Sequence, residues 1–444
     1  MKAELSRKIR ELMKERSIPG IAIGVYHKGK TSTQGYGVTN INHPLPVDDD
    51  TLFQIGSITK TFVGTMTMML VEQGKLDLDT PIKKYLPEFK VQDKEASEKA
   101  TIRHLYTHTA GWVGDWFPSG IEQGPDSVEH YVTTMVDDPQ FTSLGEYLSY
   151  NNAGYNLAGR ILEVVTGKVF SDLVKEMIFE PLGMTDTNIL PWEMMQKRFA
   201  SGHSLGEKGI EVVGPWFIGR ASGPAGGIVS SARDMIKYIK LHLGKRDDLV
   251  SKESLTALHT PQLEYAPGRK IALTFWVDDH RSARSLGHSG GTVGQQALLT
   301  IVPEHDFGVT IGTNCATGAV AKYQMADIAI KEYLGVETPE PAIIKMSKED
   351  LQEYEGEYEA KLSAVKIEAG DGELLIRSKY LGGFPTADDV PEVSEYGDPA
   401  RFGFYDKDHI KGLDETNNTS IAQFIRENGE VTMVRSGMRL HRRI

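Results

Sequence analysis

The sequence predicts a mixed α/β chain in two parts. Helical periodicities and strand-like runs alternate irregularly up to about residue 335. The stretch 336–341, VETPEP, then breaks both patterns and reads as a linker. Roughly the last hundred residues carry short strands separated by turn signals, the text of a small antiparallel barrel. The expected boundaries are a first domain over 1–335, a linker over 336–345 and a barrel over 346–444. A length of 444 residues fits such a division.

The elements follow in chain order. Leu5, Ile9, Leu12 and Met13 share one face of KAELSRKIRELMKERS, an amphipathic helix and not the apolar core of a signal peptide. A cytoplasmic location is therefore expected. IAIGVY, the turn HKGK and TSTQGYG read as a β-hairpin. TFVGTMTMMLVEQGKL reads as a mostly apolar helix with a glycine after its last turn. TIRHLYTHTAGW leads into a long Gly/Pro/Asp-rich loop over 113–126, with Trp112 and Trp116 as a pocket wall. YNNAGYNLAGRILEVVTGK becomes a helix with Leu157, Ile161, Leu162 and Val165 on its apolar face, stopped by Gly167. SGPAGGIVSSARDMIKYIKLHLG is a glycine-rich turn entering a helix near an N-cap at Ser231. ALTFWV, SLGHSGGTVGQQALLTIVP and FGVTIGTN are strands, and VAKYQMADIAIKEYLG is the last helix before the linker. In the final part Val365, Ile367 and Ala369 alternate with Lys366 and Glu368, and Asn428-Gly429 marks a hairpin.

Composition excludes several function classes. The net charge of −12 argues against a nucleic-acid backbone as partner. No apolar run approaches the ~20 residues of a membrane span, so no membrane partner is expected. Cys315 is the only cysteine, which rules out an intrachain disulfide and a thiolate zinc site; it reads as a buried structural thiol. His, Asp and Glu show no metal-ligand spacing and no phosphate loop appears, so neither metal nor cofactor is expected.

FQIGSITKTF places Ser57 and Lys60 one helical turn apart. Serine-based acyl transfer needs a nucleophile, a base, a proton donor for the leaving group and donors for the oxyanion. A lysine at i+3 can reach the serine hydroxyl, and Ser57 at a helix start has free backbone N–H groups beside it. The other local reading is an N-cap beside a solvated lysine. A second S-x-x-K, Ser363 and Lys366, lies in an alternating strand and has none of these features.

Partners elsewhere in the chain separate the readings. SITK, then YNN at Tyr150 to Asn152, then HSG at His288 to Gly290 appear in order, among IPGIAIGVYHKGK, IRHLYTHTAGW, EPLGMTDT and PAGGIVSSARDM. Over 18–334 the chain thereby resembles the penicillin-recognising serine hydrolases. These comprise class C beta-lactamases, D-alanyl-D-alanine carboxypeptidases, D-aminopeptidases and some esterases. The resemblance implies an antiparallel sheet flanked by helices, an all-helical lobe and, after them, a lipocalin-like barrel that covers the active-site mouth or mediates assembly; an oligomer is expected.

It also implies roles. Ser57 is the nucleophile, Lys60 helps remove its proton, and Tyr150 shuttles a proton at a pKa held down by cations such as Lys60. Asn152 bonds Lys60 and the substrate amide. The N–H groups of Ser57 and Gly291 form the oxyanion hole, beside Ser289 and Gly290 on the strand, with Trp112 at the pocket. His108 is read as support for the loop leading to Trp112; Asp115 and Trp116 are candidates for touching substrate that the sequence does not fix.

Beta-lactamases of this group usually carry lysine where His288 stands. Histidine is charged only part of the time near neutral pH, so the departure favours peptide-like substrates. His27-Lys28-Gly29, His242-Leu243-Gly244 and Arg435-Ser436-Gly437 also approximate the triad and are set aside, the last because it lies in the C-terminal strand region. The expected activity is a serine peptidase on short peptides, including D-residue peptides. A carboxylesterase, then a beta-lactamase or penicillin-binding protein, are the alternatives, with a non-catalytic binding protein last.

Overall fold

The computed structural model describes residues 1–118, 124–216, 218–279, 283–391 and 394–444. Part of the loop over 113–126 thus lies outside the described residues. GIAIGVYH forms β1 (Gly20–His27), buried at all but its last residue. Lys28 and Gly29, at φ 47° and 82°, turn it into β2 (Lys30–Gly37). Six later strands complete the sheet: β3 (Leu263–Ala266), β4 (Arg269–Ile271), β5 (Trp276–Asp278), β6 (Ser285–Thr292), β7 (Gln295–Val302) and β8 (Phe307–Thr313). The order is β2-β1-β8-β7-β6-β5-β4-β3, with every pair antiparallel.

Both faces of this sheet are covered, which is why β1 reads as continuous apolar text instead of alternating. Ile21, Ile23 and Val25 pack with Leu5 and Ile9 of α1 (Ala3–Glu15) and with Met325 and Ala329 of α5 (Gly318–Leu334). On the other face Gly24 admits α4 (Ala232–His242): a Cβ there would lie 3.0 Å from Ala232 O. Ser231 caps α4, its hydroxyl accepting from Asp234 N at 3.2 Å.

The helical lobe lies beyond α4. α2 (Thr59–Glu72) is buried nearly all round. Its apolar residues join the main core, while Thr61 and Thr65 return their hydroxyls to the carbonyls of Ile58 and Thr61, each at 2.8 Å. α3 (Asn152–Thr166) starts at the Asn151 cap and ends at Gly167, φ 70°. The Asn151 cap fixes where α3 begins, and so where Asn152 stands.

After α5, residues 335–347 contain no helix or strand, only a bridge between Ile344 and Phe404. The chain then forms a closed eight-stranded barrel. Its strands are β9 (Gly356–Glu359), β10 (Ser363–Ala369), β11 (Leu374–Tyr380), β12 (Ala400–Asp406), β13 (His409–Gly412), β14 (Ile421–Glu427), β15 (Glu430–Ser436) and β16 (Arg439–Arg443). Tyr358, Ile367, Leu374, Phe404 and Phe424 fill it. Asn428 and Gly429, at φ 53° and 90°, make the β14–β15 turn that their sequence signals. Among the described residues no helix is long and apolar enough to cross a membrane.

One buried carboxyl gives the fold a pH dependence. Asp138 is 5% exposed and its Oδ2 has no partner. Burial pushes its pKa up to about 7. A raised carboxyl pKa means the folded state holds the proton more tightly. Its contribution is therefore complete below pH ~4 and lost as pH rises through about 7. Asp138→Asn should raise stability at pH 8 by up to about 4 kcal/mol and change little at pH 4. Urea unfolding at the two pH values measures the difference.

Candidate active site

Gly56–Ile58 is a single 3₁₀ turn running into α2, and it lifts Ser57 to the sheet edge. Gly56 has φ 51°, and a Cβ there would lie 2.9 Å from Gly291 N. A Cβ on Gly290 would lie 1.9 Å from Ile55 O. Gly56 and Gly290 are therefore steric requirements: they let β6 close on the turn that carries Ser57.

Lys60 is fully buried. Its Nζ lies 3.0 Å from Ser57 Oγ, 2.7 Å from Asn152 Oδ1 and 2.6 Å from Ala225 O. Burial, then the nearby Arg439, hold its pKa well below the usual lysine range, against the pull of Asp115. A neutral amine has two N–H groups and one lone pair. Asn152 and Ala225 accept the two N–H groups, so the lone pair is left for the Ser57 hydroxyl.

The segment before α3 is held from both sides. His108, at φ 56°, accepts from Asn151 N through Nδ1 at 3.0 Å, and its backbone oxygen accepts from Ser149 N at 2.9 Å. Its ring lies 4.4 Å from that of Tyr150. His108 thus supports the Tyr150 segment more directly than the loop of Trp112. Asn152 links the site inward, donating from Nδ2 to Asp115 Oδ1 at 2.7 Å.

The structure differs from the sequence expectations at four points. Tyr150 is expected with a lowered pKa, but burial pushes it above the usual tyrosine range, with the Ser57 hydrogen bond and Arg439 drawing it only part of the way back. The phenol is protonated at neutral pH. Trp112 is expected at the pocket, but it is 3% exposed, with its ring against Phe89, and touches the site only through its carbonyl, which accepts from Asn151 Nδ2 at 3.0 Å. The tryptophan at the pocket is Trp276 on β5, paired opposite Gly287 and 5.9 Å from the His288 ring. Ordinary strand text, ALTFWV, gave no signal for it.

Third, His288 is 3% exposed, and burial together with Lys60 pulls its pKa down to about 3. Its Nδ1 lies 2.5 Å from Ser289 O. A carbonyl only accepts, so Nδ1 carries the proton and Nε2, which has no partner, presents a lone pair. Fourth, the C-terminal barrel, expected only to cover the active-site mouth or mediate assembly, reaches the site itself. The turn between β15 and β16 brings Met438 O to accept from Tyr150 N at 2.8 Å. Arg439 places its guanidinium 5.0 Å from the Tyr150 ring and donates to Asp115, Nη2 to Oδ1 at 2.9 Å. Arg435 Nε donates to Leu148 O at 2.8 Å.

Between β6, α5 and the barrel lies a cavity of about 1350 Å³ that includes His288, Ser289, Trp276, Tyr323 and Met438 on its walls. Ser363 and Lys366, by contrast, stand on barrel strand β10, where Ser363 Oγ meets His441 Nε2 at 3.0 Å and Lys366 pairs with Glu368. Residues i and i+3 of a strand face opposite sides, so this pair has no shared chemistry. Cys315 is fully buried.

Comparison with known proteins decides the family. The beta-lactamase family model matches residues 5–331. The chain belongs to the beta-lactamase family. This is a family of serine hydrolases, and the geometry above is that of one. Penicillin-binding protein 4 of Amycolatopsis lactamdurans is 31% identical over 348 residues, covering 74% of this chain and 89% of that protein. The octameric penicillin-binding protein homologue from Pyrococcus abyssi matches over 99% of both chains at 25% identity and a TM-score of 0.70. The D-amino acid amidase of Ochrobactrum anthropi SV3 shares the fold over 74% of this chain and 99% of its own, at 24% identity and a TM-score of 0.63.

Proposed function

We propose that this beta-lactamase-family enzyme hydrolyses short peptides or amino-acid amides, D-residues included, and reads the free amine of the substrate. Ser57 Oγ bonds to the substrate carbonyl carbon while the neutral Lys60 takes its proton. The oxyanion is held by the N–H groups of Ser57 and Gly291. The C–N bond breaks, the leaving amine takes a proton from Tyr150, and the Lys60 ammonium restores it. Water then hydrolyses the acyl-enzyme by the same groups in reverse.

The observation that carries the substrate reading is His288. A fixed cation would suit a carboxylate, but a buried neutral imidazole with an unpartnered lone pair suits an N–H donor. The surrounding Tyr150 and Trp276 rings favour a cationic or apolar group. The likeness to a D-amino acid amidase agrees with this reading. The octameric homologue supports assembly of this chain too.

The test is a panel on the purified protein beside Ser57→Ala. D- and L-aminoacyl peptides, their N-acetylated forms, p-nitrophenyl acetate and a chromogenic cephalosporin are compared by kcat/KM. Free-amine peptides should exceed their acetylated forms by about tenfold, because acetylation removes the cation that the Tyr150 and Trp276 rings favour, and Ser57→Ala should abolish turnover. Equal rates on blocked peptides, or a cephalosporin turned over fastest, would sink the amine reading. Fast ester turnover with inert peptides would make the protein an esterase.

A further inference from the structure

We propose that Lys322 of α5 is a positioning residue for the reaction, polarising the single peptide unit whose N–H is the Gly291 donor of the oxyanion hole. The inference rests on the serine-hydrolase reading above and assigns work to a lysine outside its motifs.

The geometry begins at the β6–β7 turn. Val293 and Gly294 form the loop, and Thr292 pairs with Gln295 to close it. Antiparallel pairs alternate between hydrogen-bonded and open. Counting back, Gly290 exchanges bonds with Ala297, while Gly291, opposite Gln296, turns its N–H to the other edge. That edge faces Gly56 and Ser57.

Gly290 O and Gly291 N belong to one amide. In a trans peptide they point in opposite directions. Lys322 Nζ donates to Gly290 O at 3.0 Å and to Gln296 Oε1 at 2.8 Å. The lysine's charge is thus at one end of the amide dipole and the developing oxyanion at the other. A cation on the oxygen draws electron density from the nitrogen and makes its proton a stronger donor. Lys322 is 4% exposed, so water screens little of this effect. Burial brings its pKa down to about 7, leaving a substantial fraction charged at neutral pH. A buried lysine is costly to keep, and a strand carbonyl already bonded in the ladder does not need a second donor. Polarising the amide gives this placement a function.

The variant is Lys322→Met, with Lys322→Gln, which keeps a donor but no charge, as its partner. Two readouts are used. For p-nitrophenyl acetate, kcat should fall about tenfold with KM changed less than twofold, a fraction of the 10²–10³ lost when a whole oxyanion donor is removed. The inhibition constant of phenylboronic acid, whose adduct places an anionic oxygen in the same hole, should weaken by the same factor. In [¹⁵N]glycine-labelled enzyme, the Gly291 amide proton, identified by its loss in Gly291→Ala, should move upfield while Gly56 and Gly287 stay in place. Lys322→Gln should fall between wild type and Lys322→Met, and it carries both measurements if the methionine variant does not fold. An unmoved Gly291 resonance with unchanged boronate affinity overturns the proposal. Wild-type protein inert toward every ester and peptide would instead defeat the hydrolase reading, and the glycine resonance would still report on Lys322.

Discussion

Lys60→Met should leave a folded protein whose acylation of Ser57 is slower by about 10²–10⁴-fold, the usual contribution of a positioned general base. Stability should change little because two terms oppose. The substitution removes a fully buried amine, which favours folding. It also leaves Asn152 Oδ1 and Ala225 O without a donor, at about 1–3 kcal/mol each. Lys60→Arg separates base chemistry from charge. A guanidinium places a cation beside Tyr150 but cannot accept a proton, so it should be as inactive as methionine. The wild-type pH profile provides a second check. Since burial holds the Lys60 pKa well below that of an ordinary lysine, the acid limb of the rate should lie at lower pH than an ordinary lysine would place it. Single-turnover acylation by a chromogenic ester measures all three; an arginine variant retaining a tenth of the wild-type rate would remove Lys60 from the role of base.

What could be read from sequence divides along a physical line. Ser57 and Lys60 were distinguishable from Ser363 and Lys366 because the difference is local: one pair opens a buried apolar helix, the other alternates along a strand. The Asn428-Gly429 turn and the Ser231 cap were legible for the same reason. Groups whose meaning comes from distant packing were not. Trp112 and Trp276 are both tryptophans in apolar text, and only the register of β5 against β6 decides which one faces His288. The Tyr150 pKa was misjudged because nearby cations could be inferred from motifs, whereas the extent of burial, the larger cause, could not. Arg439 lies 324 residues from Asp115, and nothing in the text around it distinguishes it from the other basic residues of RLHRR.

Arg439 is the residue through which the barrel enters the chemistry, and Arg439→Ala should lower kcat/KM at pH 7 by about tenfold or more, the effect of removing one nearby charge. The route is electrostatic. Asp115 has a side chain only 6% exposed and is neutralised by Arg439. Through Asn152 it is two hydrogen bonds from Lys60. Arg439 lowers the Lys60 pKa and Asp115 raises it. Burial, the larger cause, remains when the arginine is removed, but the first of these two influences is deleted and the second kept, so Lys60 holds its proton more tightly. For a base that must be neutral, a raised pKa moves the acid limb of the rate profile to higher pH, and activity lost at pH 7 should return as pH rises toward 9 or 10. Simple misfolding of the barrel turn would lower the rate at every pH, so the shift of the limb separates the two causes. Arg439→Ala combined with Asp115→Asn removes both charges and should recover much of the neutral-pH rate, a coupling of the sign that double-mutant cycles resolve. Should the single variant keep its acid limb in place, Arg439 would be a structural tie between barrel and catalytic sheet and no more.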